Sequence, residues 1–204
     1  MRKFARIAAV CALGVWVLGW SASFVSAQQV DVMVGGGTLL SSSPVTTTQN
    51  QPIIAEKGGV YPSVSGDVIL YRRFGLNFEG AWKWKDGVYP GYFETYRPIL
   101  LDVNALFQPR LGKKYGLDLM VGVGAESVRF YQGYSGTCFY ASCTPFVSDS
   151  HFMEHLGGGI RYYFYHRLFV RPEVHYYHIQ NNVEFNSGNV VRAGATVGIT
   201  FGNR

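Results

Sequence analysis

Hydrophobic and polar positions alternate along most of this chain with a period of two. The clearest run is Leu76 to Lys85, where Leu76, Phe78, Gly80, Trp82 and Trp84 alternate with Asn77, Glu79, Ala81, Lys83 and Lys85. A strand sends successive side chains to opposite faces, so one face here is apolar and aromatic and the other carries charge. A run of this length, at about 3.3 Å per residue and tilted by about 40°, rises about 25 Å, the height of the apolar band of a transmembrane barrel.

The same period recurs before and after it. Val30, Val32 and Val34 alternate with Asp31 and Met33, and a second strand is expected from about 60 to 72 through Gly66-Asp67-Val68-Ile69-Leu70-Tyr71. Ile99, Leu101, Val103, Ala105 and Phe107 mark one face of a fourth strand, with Asp102 and Asn104 on the other. In the fifth, Leu117, Leu119, Val121, Val123 and Ala125 face outward and Asp118, Met120, Gly122, Gly124 and Glu126 inward. A sixth strand is expected at about 152–165, and a seventh runs through Val170 to Tyr177 with Arg171, Glu173 and His175 on one face. The last places Val191, Ala193, Ala195, Val197, Ile199 and Phe201 outward and Arg192, Gly194, Thr196, Gly198 and Thr200 inward. Pro172 removes a ladder donor and is expected at a bulge or near a rim. Segments 40–57, 86–93 and 132–150 read as long loops, alternating with short turns. Eight strands with this spacing predict an all-β fold, an eight-stranded antiparallel up-and-down transmembrane β-barrel whose closure removes edges that lipid could not satisfy.

Composition alters this picture at the N-terminus. Arg2, Lys3 and Arg6, the apolar run from Ile7 to Trp20 and the small-residue site Val25-Ser26-Ala27 predict a cleaved signal peptide over 1–27, leaving 28–204 as a single barrel domain. Without that peptide Lys+Arg falls from 18 to 15 against 13 acidic residues, a net charge of +2, and no basic patch for nucleic acid remains. In an exported protein the pair Cys138 and Cys143 reads as a small disulfide loop. The abundance of Tyr and Phe suits membrane-interface girdles, and Trp82 and Trp84 are expected at the outer interface.

The Gly-rich strands, the turn Gln108-Pro109-Arg110-Leu111-Gly112, the segment Leu168-Phe169-Val170-Arg171-Pro172-Glu173-Val174 and the closing Val197-Gly198-Ile199-Thr200-Phe201-Gly202 resemble the outer-membrane β-barrel domains of the OmpA/OmpX-like class. The resemblance spans the mature chain and implies a porin-like protein of the Gram-negative envelope, set in the bacterial outer membrane among lipid and lipopolysaccharide. It also implies a C-terminal aromatic read by the barrel-insertion machinery. Here that residue is Phe201, followed by Gly202-Asn203-Arg204.

The inward set Glu79, Lys83, Lys85, Asp102, Asp118, Glu126, Arg161, Arg171, Glu173 and Arg192 carries both signs. An eight-stranded barrel is just wide enough to be filled by side chains, so these groups are expected to pair as a structural network; a narrow ion path is the alternative. His151-Phe152-Met153-Glu154-His155 matches the spacing of an inverted zinc protease. On a strand those two His stand about 13 Å apart, so no metal site, no catalytic residue and no cofactor is expected. A lipid A-modifying enzyme would need a Ser beside a His, whereas Ser127, Ser148 and Ser150 have no evident base. Loops 40–57 and 132–150, the second rich in Tyr and Phe, are candidate extracellular ligand sites. The expected role is envelope structure or surface interaction, with a small ion or solute channel second and a lipid-modifying enzyme third.

Overall fold

The computed structural model describes residues 29–41, 47–48, 51–52, 55–89, 94–131, 146–182, 184–185 and 188–202. Residues 1–27 and the Cys138–Cys143 pair lie outside this set, and with them the expected cleavage site and disulfide. Eight long strands make up the fold: β1 Gln29–Leu40, β2 Tyr61–Tyr71, β3 Phe74–Trp82, β4 Glu94–Phe107, β5 Tyr115–Tyr131, β6 Phe146–Tyr165, β7 Leu168–Ile179 and β8 Asn189–Gly202. Each pairs antiparallel with its sequence neighbours, and β8 pairs with β1, so the sheet closes. A short strand, Gly87–Tyr89, pairs antiparallel with the start of β4, and a small ribbon joins Thr47–Thr48 to Gln51–Pro52.

The period-two pattern sets the two surfaces. Val32, Val34, Leu101, Val103, Val121, Val123, Leu156, Val174 and Val197 are each roughly half exposed on the outside. The charged and amide side chains on the opposite parity are buried inside. The short turns Arg72–Arg73 and His166–Arg167 are tight enough to hold Arg72 at φ 53° and His166 at φ 32°. They share one end of the barrel with the start of β1 and the end of β8, and the long connections leave from the other.

Two strand boundaries and the place of one proline differ from the sequence reading. β6 begins at Phe146, so Ser148, Asp149 and Ser150 continue the ladder with β5 instead of belonging to a loop. β3 ends at Trp82, although Trp84 N–H still donates to Val60 O at 2.8 Å; the chain then bends, and Lys85 is exposed instead of inward. Pro172 stands in mid-strand opposite Ala195, away from either rim, and the β6 ladder simply passes over Arg171 and Pro172.

Candidate functional site: the ion-pair core and the outer rim

Register places like charges side by side inside the barrel. Asp31 is directly opposite Asp67 on β2, and Glu79 is directly opposite Asp102 on β4. Such pairs repel, and burial removes the water that would screen them. Three guanidiniums resolve this. Arg161 Nε donates to Asp118 Oδ2 at 2.6 Å while its two terminal nitrogens take Asp31 and Asp67. Arg171 donates to Glu173 at 2.8 Å and to Asp118 at 3.1 Å. Arg192 binds Glu79 and lies 3.4 Å from Glu173. The planar fork of Arg suits these bridges, since each guanidinium satisfies several carboxylates at once. Arg161 also lies 4.5 Å from the ring centre of Phe169.

Amides and imidazoles continue the network outward. Asn77 donates to Asp67 at 2.6 Å, and Asn104 donates to Asn77 at 2.8 Å and to Asp102. Asn104 Oδ1 meets His155 Nδ1, and His155 Nε2 lies 2.9 Å from His175 Nδ1. The two imidazoles stack at 5.1 Å, with Tyr177 on His155 at 4.8 Å. Gly157, opposite His175, keeps this space open: a Cβ there would stand 3.0 Å from both rings.

Above the network an apolar layer of Leu39, Leu100, Met153, Ile179, Val190 and Tyr177 fills the barrel section. Above that, at the outer rim, sits a second polar cluster. Glu56, from the segment preceding β2, is fully buried beside Glu126, and Tyr61 donates to it at 3.3 Å. Burial pushes the Glu56 carboxyl up, against the opposing pull of Glu126, Lys83 and Tyr61. Lys83 donates to Tyr96 at 3.1 Å, and burial pushes its ammonium down. His151 lies 2.9 Å from Glu184, and Phe185 packs on Tyr96 at 5.1 Å.

The inward residues read from sequence therefore divide. Glu79, Asp102, Asp118, Arg161, Arg171, Glu173 and Arg192 form one core network; Lys83 and Glu126 belong to the rim; Lys85 joins neither. Asp31, Asp67, Asn77, Asn104, Glu56, His155 and His175 are buried members that the sequence reading left out. For Asp31 and Asp67 the signal was present, since both stand at the polar parity of an alternating run. The two His of the H-x-x-E-H segment share the inward parity of β6 but reach different layers, His155 the core and His151 the rim. Ser127 and Ser150 are paired across β5 and β6 on the outward face, away from His151. Trp82 is partly exposed, Trp84 is 61% exposed, and Phe201 is exposed opposite Val30 at the base.

The described chain is a closed antiparallel barrel with apolar residues outside and an ion-pair network inside. The fold is that of the OmpA/OmpX-like outer-membrane barrels. The N-terminal β-barrel domain of Pseudomonas aeruginosa OprF is similar, with TM-score 0.57 and 13% identity over 86% of this chain and 98% of that one. Neisserial surface protein A superposes at 0.58 with 10% identity, over 85% and 96%. Ail, the attachment invasion locus protein of Yersinia pestis, solved with the heparin analogue sucrose octasulfate, superposes at 0.55 with 11% identity, over 86% and 100%. No family model matches the chain, and no curated protein matches its sequence. At these identities the likeness to OmpA/OmpX-like barrels concerns architecture.

Proposed function

We propose that this chain is an integral protein of the bacterial outer membrane, exported by its first 27 residues, whose core is a structural plug and whose task lies at the outer rim. The observation that carries this reading is the sequence of layers inside the barrel. An ion-pair network and an apolar layer occupy successive sections, so the interior supports rigidity better than conduction.

The outer ends of β4, β5 and β6 supply a recognition surface. Arg97 and Arg129 stand directly opposite one another on the outward face, two residues beyond Ile99 and Ser127. Arg97 pairs with Asp86 at 2.7 Å and lies over Tyr131; Arg129 lies over Phe146 at 5.0 Å. Asp86 compensates one of the two neighbouring guanidiniums, so the pair keeps a net positive charge, and their aromatic supports hold them in place. This chemistry favours an anionic ligand, either a phosphate-bearing lipid of the outer leaflet or a sulfated sugar such as the heparin analogue sucrose octasulfate bound to Ail.

Two measurements test the reading. Refolded barrel in vesicles is expected to bind immobilised heparin or lipopolysaccharide, and the double variant Arg97→Gln, Arg129→Gln to lose most of that binding while still showing heat-modifiable gel migration. Stepwise conductance in planar bilayers, or undiminished binding by the double variant, would overturn it.

A further inference from the structure

The ion-pair network of the core holds more negative charge than its guanidiniums neutralise. Asp31, Asp67, Glu79, Asp102, Asp118 and Glu173 are all at most 5% exposed, and the guanidiniums among them are those of Arg161, Arg171 and Arg192. Buried carboxylates in excess of their cations require a proton or a bound cation.

Hydrogen-bond polarity shows where that positive charge belongs. The amide nitrogen of Asn104 is committed to Asn77 and Asp102, so Oδ1 is its acceptor, and His155 Nδ1 must carry the proton that it receives. In neutral His155 the other nitrogen then accepts from His175 Nδ1–H across 2.9 Å. This fixes His175 as the tautomer whose Nε2 bears a lone pair. That lone pair faces Glu173 Oε1 at 3.4 Å and Glu79 Oε2 at 4.0 Å, three acceptors around one point. Among the described residues neither His175 Nε2 nor Glu79 Oε2 makes a well-formed hydrogen bond, and both residues are buried.

We propose that Glu79, Glu173 and His175 form a binding site for a divalent transition-metal ion in the barrel core. Their ligand atoms lie within 4.8 Å of one another. A tetrahedral ion with bonds of about 2.1 Å sets its ligands about 3.4 Å apart, the separation His175 and Glu173 already have, so closure needs Glu79 to approach His175 by about 0.6 Å and no pair to close by more than about 1.4 Å. One imidazole nitrogen with two carboxylate oxygens suits Zn²⁺, Mn²⁺ or Fe²⁺. Arg192 orients Glu79 through its other oxygen, and the His155–Asn104 relay fixes the metal-binding tautomer of His175, the usual arrangement around a ligating histidine. The apolar layer above the site makes loading during folding the natural route.

The test uses Zn²⁺ alone as probe. The full mature chain, with His151, His166 and His178 replaced by Gln to remove imidazoles outside the core, is refolded with Zn²⁺, desalted and assayed for metal. The expected result is about one Zn²⁺ per barrel, falling about tenfold or more in affinity when Glu79→Gln or His175→Gln is added. Folding of every variant is checked by heat-modifiable migration. A measurement without core substitutions stands beside it: ¹⁵N-histidine spectra of the same barrel should show His175 Nε2 shifting from a free to a metal-bound signal on loading. No bound metal, binding that survives His175→Gln in folded protein, or a His175 signal that is imidazolium and insensitive to Zn²⁺ would each overturn the proposal. The last outcome would mean that an excess proton holds these carboxylates instead.

Discussion

Replacing Arg161 by Met is the most direct probe of how this barrel is held together. The side chain is fully buried and bridges Asp31, Asp67 and Asp118 from three different strands. Methionine keeps much of the volume and removes the charge. Its effect on the three carboxylates is unequal. Asp118 retains Arg171 at 3.1 Å, and Asp67 retains Arg171 at 3.5 Å together with the amide of Asn77. Asp31 loses its guanidinium and, among the described residues, keeps only the amide of Gln29 at 2.9 and 3.0 Å. Breaking a buried ion pair by removing one partner costs about 3–5 kcal/mol, because the remaining charge is stranded. The expectation for Arg161→Met is a loss of that size, concentrated on Asp31. Adding Asp31→Asn should then recover about 1–3 kcal/mol, the desolvation penalty of the orphaned group. Urea unfolding in lipid vesicles, with folded fraction read from heat-modifiable migration, measures both and completes a double-mutant cycle. A single variant within about 1 kcal/mol of wild type, or a double variant no more stable than the single, would refute the assignment of Arg161 as the tie between β1, β2 and β5.

Three further expectations follow from other layers. Gly157→Ala should destabilise by about 1–3 kcal/mol through overpacking against His155 and His175, read as a lower urea midpoint; an unchanged midpoint would mean that the imidazole stack is not closely packed. Because burial raises the Glu56 carboxyl, the fold favours its neutral form. Its stabilisation is present below the ordinary value of 4.5 and is lost as pH rises through the higher folded value. Exchange of the Gly58 amide, which donates to Leu39 O at 2.8 Å, should accelerate with pH beyond the intrinsic rate, and Glu56→Gln should remove that excess. Phe201→Ala should slow assembly into the outer membrane in cells while leaving the unfolding midpoint of the refolded barrel nearly unchanged, since Phe201 is 47% exposed; equal effects on both would locate its role in stability.

The strands were legible because a barrel in lipid imposes a binary rule on every residue. Outward positions meet hydrocarbon and inward positions meet other side chains, so the parity of Val121 and Val123 against Asp118 and Glu126 could be read along a single strand. Strand ends were less legible, because at the rims the outside becomes polar and parity loses its contrast. Lys85 continues the alternation of the third strand in sequence, yet the ladder stops just before it. β6 extends to Phe146 because pairing with β5 continues past the apolar band, through Ser148 and Ser150, where sequence resembles a loop.

The number of barrel strands, the inward parity of each strand and the mixture of charges that the interior must accommodate follow from local period and composition alone. Which charges meet was decided by the tertiary structure. Arg161 reaches Asp31 across 130 positions, and Arg192 reaches Glu79 across 113, through closure and strand register. Closure also separated Glu126 from the core arginines and seated it beside Glu56, and it brought His155 against His175. These placements depend on stagger around the barrel, which no single strand encodes; a slip of one residue between any two strands would turn the network out toward lipid.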